Sequence, residues 1–169
     1  MVEVIVKESQ LIAAAEQGMD EFIGVVTDAV KTAIGGDLNA TTMPLLNSDQ
    51  ITLLAYDILR SEVMDGGFVQ LIHNGWGPFF FNNPFDKAVR EWGLQELCSI
   101  IRRAHELYDR HGKELIKDCS DEEFMALFER YPDFDDIDDR FVEAEEDFTD
   151  TVAHYVDDHL DHFCTIMKE

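Results

Sequence analysis

The sequence predicts an all-α fold: a single compact multi-helix domain spanning residues 1–169, closed by a long acidic C-terminal helix. Three observations predict it. Apolar residues recur at three- and four-residue steps almost throughout the chain, the spacing that gathers them on one face of a helix. Glycine, proline and capping residues punctuate these runs where helices would start and stop. The one stretch with strand-like character, Val2 to Val6, is short, and 46% apolar residues are enough to build a core.

The first helical run carries Leu11, Ile12, Ala15, Met19, Phe22, Ile23, Val26, Val30 and Ile34, and Gly35-Gly36 stops it. After the loop GGDLNATTMP, a second helix begins at Ser48 or Asn47 with Ile51, Leu54, Ile58 and Leu59 inward. Gly66-Gly67 interrupts it, and a short helix from Phe68 ends near Asn74-Gly75. The segment GWGPFFFNNPF, residues 75–85, reads as irregular. Its aromatics cannot all face one side of a regular element, so either it folds back over the core or another subunit covers it.

Helical pattern returns at Asp86, breaks at Gly93 and runs again from Leu94 to about Lys117. Ser120 followed by Glu123 forms a capping box that opens a helix, and Pro132 closes it behind Tyr131. The last helix is expected from Asp135 or Asp136 to about Met167. Its stripe is Ile137, Phe141, Ala144, Phe148, Val152, Tyr155, Val156, Leu160, Phe163 and Met167.

Charge is the outlying property. Lys and Arg number 13 against 36 Asp and Glu, a net −23, and residues 118–169 hold 3 bases and 19 acids, net −16. A field of that sign repels nucleic acid and anionic lipid and draws in basic partners. No run of ~20 apolar residues exists to span a membrane. MVEVIVKESQ lacks the basic start of a signal peptide. Three cysteines far apart (Cys98, Cys119 and Cys164) fit reduced thiols in a cytoplasm.

The acids of the last helix fall largely off its apolar stripe. Asp133, Asp135, Asp136, Asp138, Asp139, Glu143, Glu146, Asp147, Asp150, Asp157, Asp158 and Asp161 are therefore the candidate partner-binding residues. Like charges at i,i+3 or i,i+4 cost about 0.2–0.5 kcal/mol a pair, and few bases relieve them. Acids of the first turn are offset by the helix dipole, the later ones are not. A conflict of that kind marks a functional surface. Carboxylates at this spacing stand ~5–6 Å apart, comparable with the phosphates of one DNA strand, which recur every ~3.4 Å of axis.

Other chemistries find less support. His154, Asp158 and His162 share a helical spacing of four but lack a fourth ligand. No histidine has an acid three residues before it, which excludes the di-iron pattern. From Asp133 an EF-hand would place Asp138 where glycine is required. Glu62, His73 and Asn74 read as a structural polar network beside the Gly66-Gly67 break. No catalytic constellation, cofactor motif or metal site is expected.

Residues 62–75, EVMDGGFVQLIHNG, carry an acid, a Gly-Gly-Phe-x-Gln core, an apolar pair and Asn before Gly: Glu62, Gly66-Gly67-Phe68, Gln70, Leu71-Ile72, Asn74 and Gly75. With this motif, residues 45–165 resemble a small bacterial family of acidic DNA-mimic proteins. The aromatic segment 75–85 departs from the family by its length. The resemblance implies an all-helical homodimer. Its negative surface would occupy the DNA-binding face of a basic DNA-binding protein, such as a transcription factor, and compete with DNA. Alternatives are an immunity-type inhibitor of a basic nuclease toxin, a metal-dependent helical enzyme on the His154 row, and a plain interaction domain.

Overall fold

Why the first helical run breaks in two is settled at Gly18. The computed structural model describes all 169 residues, with α1 at Glu8–Gln17 and α2 at Met19–Ile34. Gly18 between them takes φ 153, ψ 177, and a Cβ there would meet the Glu21 carboxylate. The break resets the helical phase. Leu11 and Ala14 are buried, whereas Ile12, Ala15 and Met19, expected on the stripe, face solvent. Past the break Phe22, Ile23, Val26, Val30 and Ile34 point inward as their spacing requires, and Gly35 in the left-handed region ends the helix.

Helices follow over most of the remaining chain. Helix α3 spans Ser48–His73, α4 Gly77–Phe81, α5 Phe85–Glu91, α6 Gln95–Leu115, α7 Asp121–Arg130 and α8 Asp135–Asp158, followed by a single turn, α9, at Leu160–Phe163. Asn47 opens α3: its Oδ1 accepts the Gln50 N–H at 2.8 Å, while Gln50 Oε1 accepts the Asn47 N–H at 3.0 Å. Ser120 and Glu123 form the expected box at α7. No helix is long and apolar enough to cross a membrane.

Two expectations are corrected. The last helix does not reach Met167. It ends at Asp158, because His159 (φ −130, ψ 34) leaves helical geometry, and after α9 the chain extends as a strand, β2, at Thr165–Met167. This strand lies parallel to β1 at Ile5–Lys7, with Ile5 opposite Thr165. The Thr165 N–H donates to the Val4 carbonyl at 2.7 Å. Both strands have polar backbone that must find a partner, and each is the other's. Met167 accordingly drops off the stripe and is exposed.

The second correction concerns GWGPFFFNNPF. Gly77 to Phe81 are helical, and Phe80, Phe81 and Phe85 are buried within the chain itself. Phe80 meets Phe85 edge-on at 5.1 Å between centroids, and Phe81 lies 5.0 Å from Tyr108 of α6. Of the two expectations for this segment, folding back is the one observed.

The chain divides into two compact units. One comprises Met1–Asp57 with Glu146–Glu169, the other Ile58–Glu145. In the first, Leu53, Leu54 and Tyr56 of α3 and Val152 and Val156 of α8 are buried, and the Tyr56 hydroxyl bonds Thr149 at 2.8 Å. In the second, Leu59, Phe68, Leu71 and Ile72 are buried, as are Leu97, Ile101, Ala104 and Leu107 of α6 and Ile137 and Phe141 of α8.

Candidate functional site

The motif of residues 62–75 builds a kink. Gly66 (φ −145, ψ 18) and Gly67 (φ 71, ψ −175) leave helical geometry inside α3. Space around both glycines is already taken: a Cβ on Gly66 would strike the Gln70 side chain, and one on Gly67 the Asp138 carboxylate. Gln70 Nε2 donates to Glu62 and Asp65, each at 3.0 Å, and Asn74 Nδ2 donates to Glu62 at 2.9 Å. The expected polar network therefore exists around Glu62 and Asn74. His73 is not part of it. Its Nδ1 lies 2.7 Å from the Leu115 carbonyl, and its ring lies tilted against Phe124, 4.7 Å between centroids.

Below the kink, Phe68 is fully buried, and its backbone N–H donates to Asp138 Oδ1 at 2.9 Å. Asp138 is thus drawn in from the solvent-facing acid set where its charge alone had placed it; it is half-buried. Burial pushes its carboxyl up to about 7 from 3.8; the neighbouring Asp135 and Asp139 add to the rise, and the Phe68 N–H opposes it.

The signal for this placement is present in the sequence. Asp138 stands four residues after Phe134 and three before Phe141, the spacing of the stripe itself. Glu145 stands in the same relation to Phe141 and Phe148. It too is half-buried and reaches Arg60 at 3.6 Å. Two acids on the apolar side thus each have a dedicated partner.

The other eleven candidate acids are exposed. In the second unit these are Asp133, Asp135, Asp136, Asp139 and Glu143. Among them Arg140, the one base of α8, turns to Glu96 of α6 at 2.7 Å and stands 3.9 Å from Asp136. Asp133 stands 3.6 Å from His111. In the first unit they are Glu146, Asp147, Asp150, Asp157, Asp158 and, on α9, Asp161.

The row His154, Asp158 and His162 does not stay in line, because α8 ends between its second and third members. His162 Nδ1 instead meets Asp49 at 2.8 Å, which raises the imidazole's pKa through that hydrogen bond. His154 turns to the Asp150 carbonyl at 2.7 Å, and that contact raises its pKa as well. No cluster of three or more His, Cys, Asp or Glu side chains is placed to hold a metal ion.

An acidic helix whose inward carboxylate is seated on a Gly-Gly-Phe kink is a specific arrangement, and the residues that make it fall inside one matched segment. The model of the family described as DMP19-like protein matches residues 44–159. This chain belongs to that family. Among curated proteins, the DNA mimic protein DMP19 of Neisseria meningitidis serogroup B (strain ATCC BAA-335 / MC58) is 33% identical over 137 residues, covering 80% of this chain and 81% of the relative. In this DMP19-like chain the matched segment takes in all of α3 and α8, and leaves α1, α2 and both strands outside it.

Proposed function

We propose that this DMP19-like chain is a DNA mimic. Its exposed carboxylates engage the phosphate-binding lysines and arginines of a basic DNA-binding protein, a transcription factor being the kind of partner meant, and so compete with DNA. The observation that carries this reading is the exposure of eleven candidate acids, nine of them along a helix pinned by buried aromatics. Membership of a family whose relative is named a DNA mimic supports it.

The mechanism follows from helix geometry. Acids at i and i+4, such as Asp135 with Asp139 or Asp139 with Glu143, project side by side ~5–6 Å apart. The apolar stripe holds the backbone, so little ordering of the acids is left to complete on binding. Lysines and arginines arranged to neutralise phosphates meet a similar potential, with no base edges to read. No catalytic step is required. The family resemblance further supports a homodimer, which sedimentation would check, and the three unpaired cysteines fit a cytoplasmic location.

The test is displacement. Protein captured on the immobilised chain from bacterial lysate at low salt and released by a salt step is bound to labelled DNA, and the chain is titrated in. It should remove the DNA with a potency that falls steeply as salt rises. The quadruple variant Asp139→Lys, Glu143→Lys, Glu146→Lys, Asp147→Lys should fold and fail to displace. Displacement by that variant at native potency refutes the mimic reading.

A further inference from the structure

The family motif and the acidic helix meet at one contact: spacing turns Asp138 inward, but neither charge nor spacing names the Phe68 N–H that it meets. We infer that Asp138 is a positioning residue for the acidic surface: it presents no charge to a partner, but accepts the Phe68 N–H at the Gly66-Gly67 kink and so fixes how the first turns of α8 are held. The consequence for binding rests on the mimic reading; the latch itself does not.

The kink explains why such an acceptor is needed. In an unbroken helix the Phe68 N–H would bond the carbonyl four residues back. With Gly66 and Gly67 out of helical geometry, that donor points at Asp138, 2.9 Å away. Gly67 has no Cβ, and the room this leaves is the room the carboxylate occupies. Gln70 fills the corresponding space at Gly66 and ties the kink to Glu62 and Asp65. Each part of the Gly-Gly-Phe-x-Gln sequence thereby has a task. The glycines admit two side chains, the phenylalanine anchors the core and offers its N–H, and the glutamine braces the bend.

The charged groups around the latch are Asp135 and Asp139 on α8 itself. On the α3 side, Glu62 and Asp65 are held by Gln70, and Glu62 also by Asn74. Asp138 at the inner edge and Asp139 at the outer therefore differ in role despite adjacency. Removing charge from Asp139 subtracts a contact. Removing the acceptor from Asp138 releases a segment.

The two roles separate cleanly by experiment on the full chain. In a ¹⁵N-labelled sample titrated between pH 5 and 9, the Phe68 amide resonance should move through an inflection near neutrality that disappears in Asp138→Asn. Amide exchange in residues 68–71 and 139–145 should quicken about tenfold or more in Asp138→Ala and in Gly67→Ala, and stay near native in Asp138→Asn, which keeps an acceptor oxygen. Against a labelled arginine-rich helical peptide at low salt, Asp139→Asn should weaken binding about two- to fivefold. Asp138→Asn should bind as the native chain does although it has lost the same formal charge, and Asp138→Ala should bind more weakly than Asp139→Asn.

Native exchange along 139–145 in both Asp138→Ala and Gly67→Ala overturns the inference. So does a loss of binding in Asp138→Asn equal to that in Asp139→Asn. Should Asp138→Ala fail to fold, Gly67→Ala and Asp138→Asn decide between the roles. A native chain that ignores the peptide counts against mimicry, while the exchange experiment still judges the latch.

Discussion

Helices α6 and α8 perform the same structural task with opposite surfaces. They are 21 and 24 residues long, and each buries a continuous apolar stripe: Leu97, Ile101, Ala104 and Leu107 on α6, Ile137, Phe141, Phe148 and Val152 on α8. On α6 the charges balance, four acids (Glu96, Glu106, Asp109, Glu114) against Arg102, Arg103, Arg110 and Lys113. On α8 eleven acids face Arg140 alone. A neutral outer face therefore serves this fold well, and the acidity of α8 is not something its folding asks for. Burial holds α8 in place; repulsion on its outer side is tolerated because the stripe offsets it.

If that division of labour is right, the two stripes should matter about equally. Phe141→Ala and Leu107→Ala each empty a fully buried position, and each should cost about 3–5 and 2–5 kcal/mol respectively in denaturant unfolding. A mild effect at Phe141 alone would mean that α8 is not anchored as α6 is, and the comparison would fail.

The next contrast is in pH dependence, where the two helices should differ in sign. Asp138, pushed up to about 7 by burial first, binds a proton more tightly folded than unfolded. Its favourable contribution is therefore complete below pH ~4 and is lost as pH rises through about 7. Asp138→Asn should match the native chain near pH 4 and exceed its stability at pH 8 by about 1–4 kcal/mol. Glu114 of α6 is held below its ordinary 4.5 by the hydrogen bond from Lys117, so its contribution is present above that value and lost as pH falls. Thermal midpoints of Asp138→Asn and Glu114→Gln across pH 3–9 test both directions.

The smallest effects should come from the outer faces. Neutralising Asp139 and Glu143 together on α8 relieves an i,i+4 repulsion and should stabilise by about 0.2–0.5 kcal/mol. Arg103→Gln on α6 removes the 2.8 Å pair with Glu106 and should destabilise by about as much. Equal signs in the two helices would show that surface charge does not distinguish them energetically.

Most of the helical layout was legible in the residues themselves. The capping box at Ser120, the stop at Gly35 and the break at Gly66-Gly67 are local chemistry, and local chemistry survives into the fold. The break at Gly18 is not legible, because the apolar spacing runs straight across it and a single glycine inside such a pattern is ambiguous. The end of α8 is hidden for another reason. Thr165–Met167 becomes a strand only because residues 5–7, some 160 positions earlier, supply its hydrogen-bond partner, and no local pattern reports a partner that distant.

The candidate acids show the same split. Composition and period alone determined that α8 would carry a carboxylate face opposite an aromatic stripe, since both follow from 3.6 residues per turn. Stripe spacing already turns Asp138 and Glu145 inward, but only the tertiary structure supplies the partner that each of them meets there. Asp138 and Asp139 are neighbours of one chemical kind. One is half-buried on the Phe68 N–H and the other is exposed, because the kink in α3 turns a backbone donor toward the first.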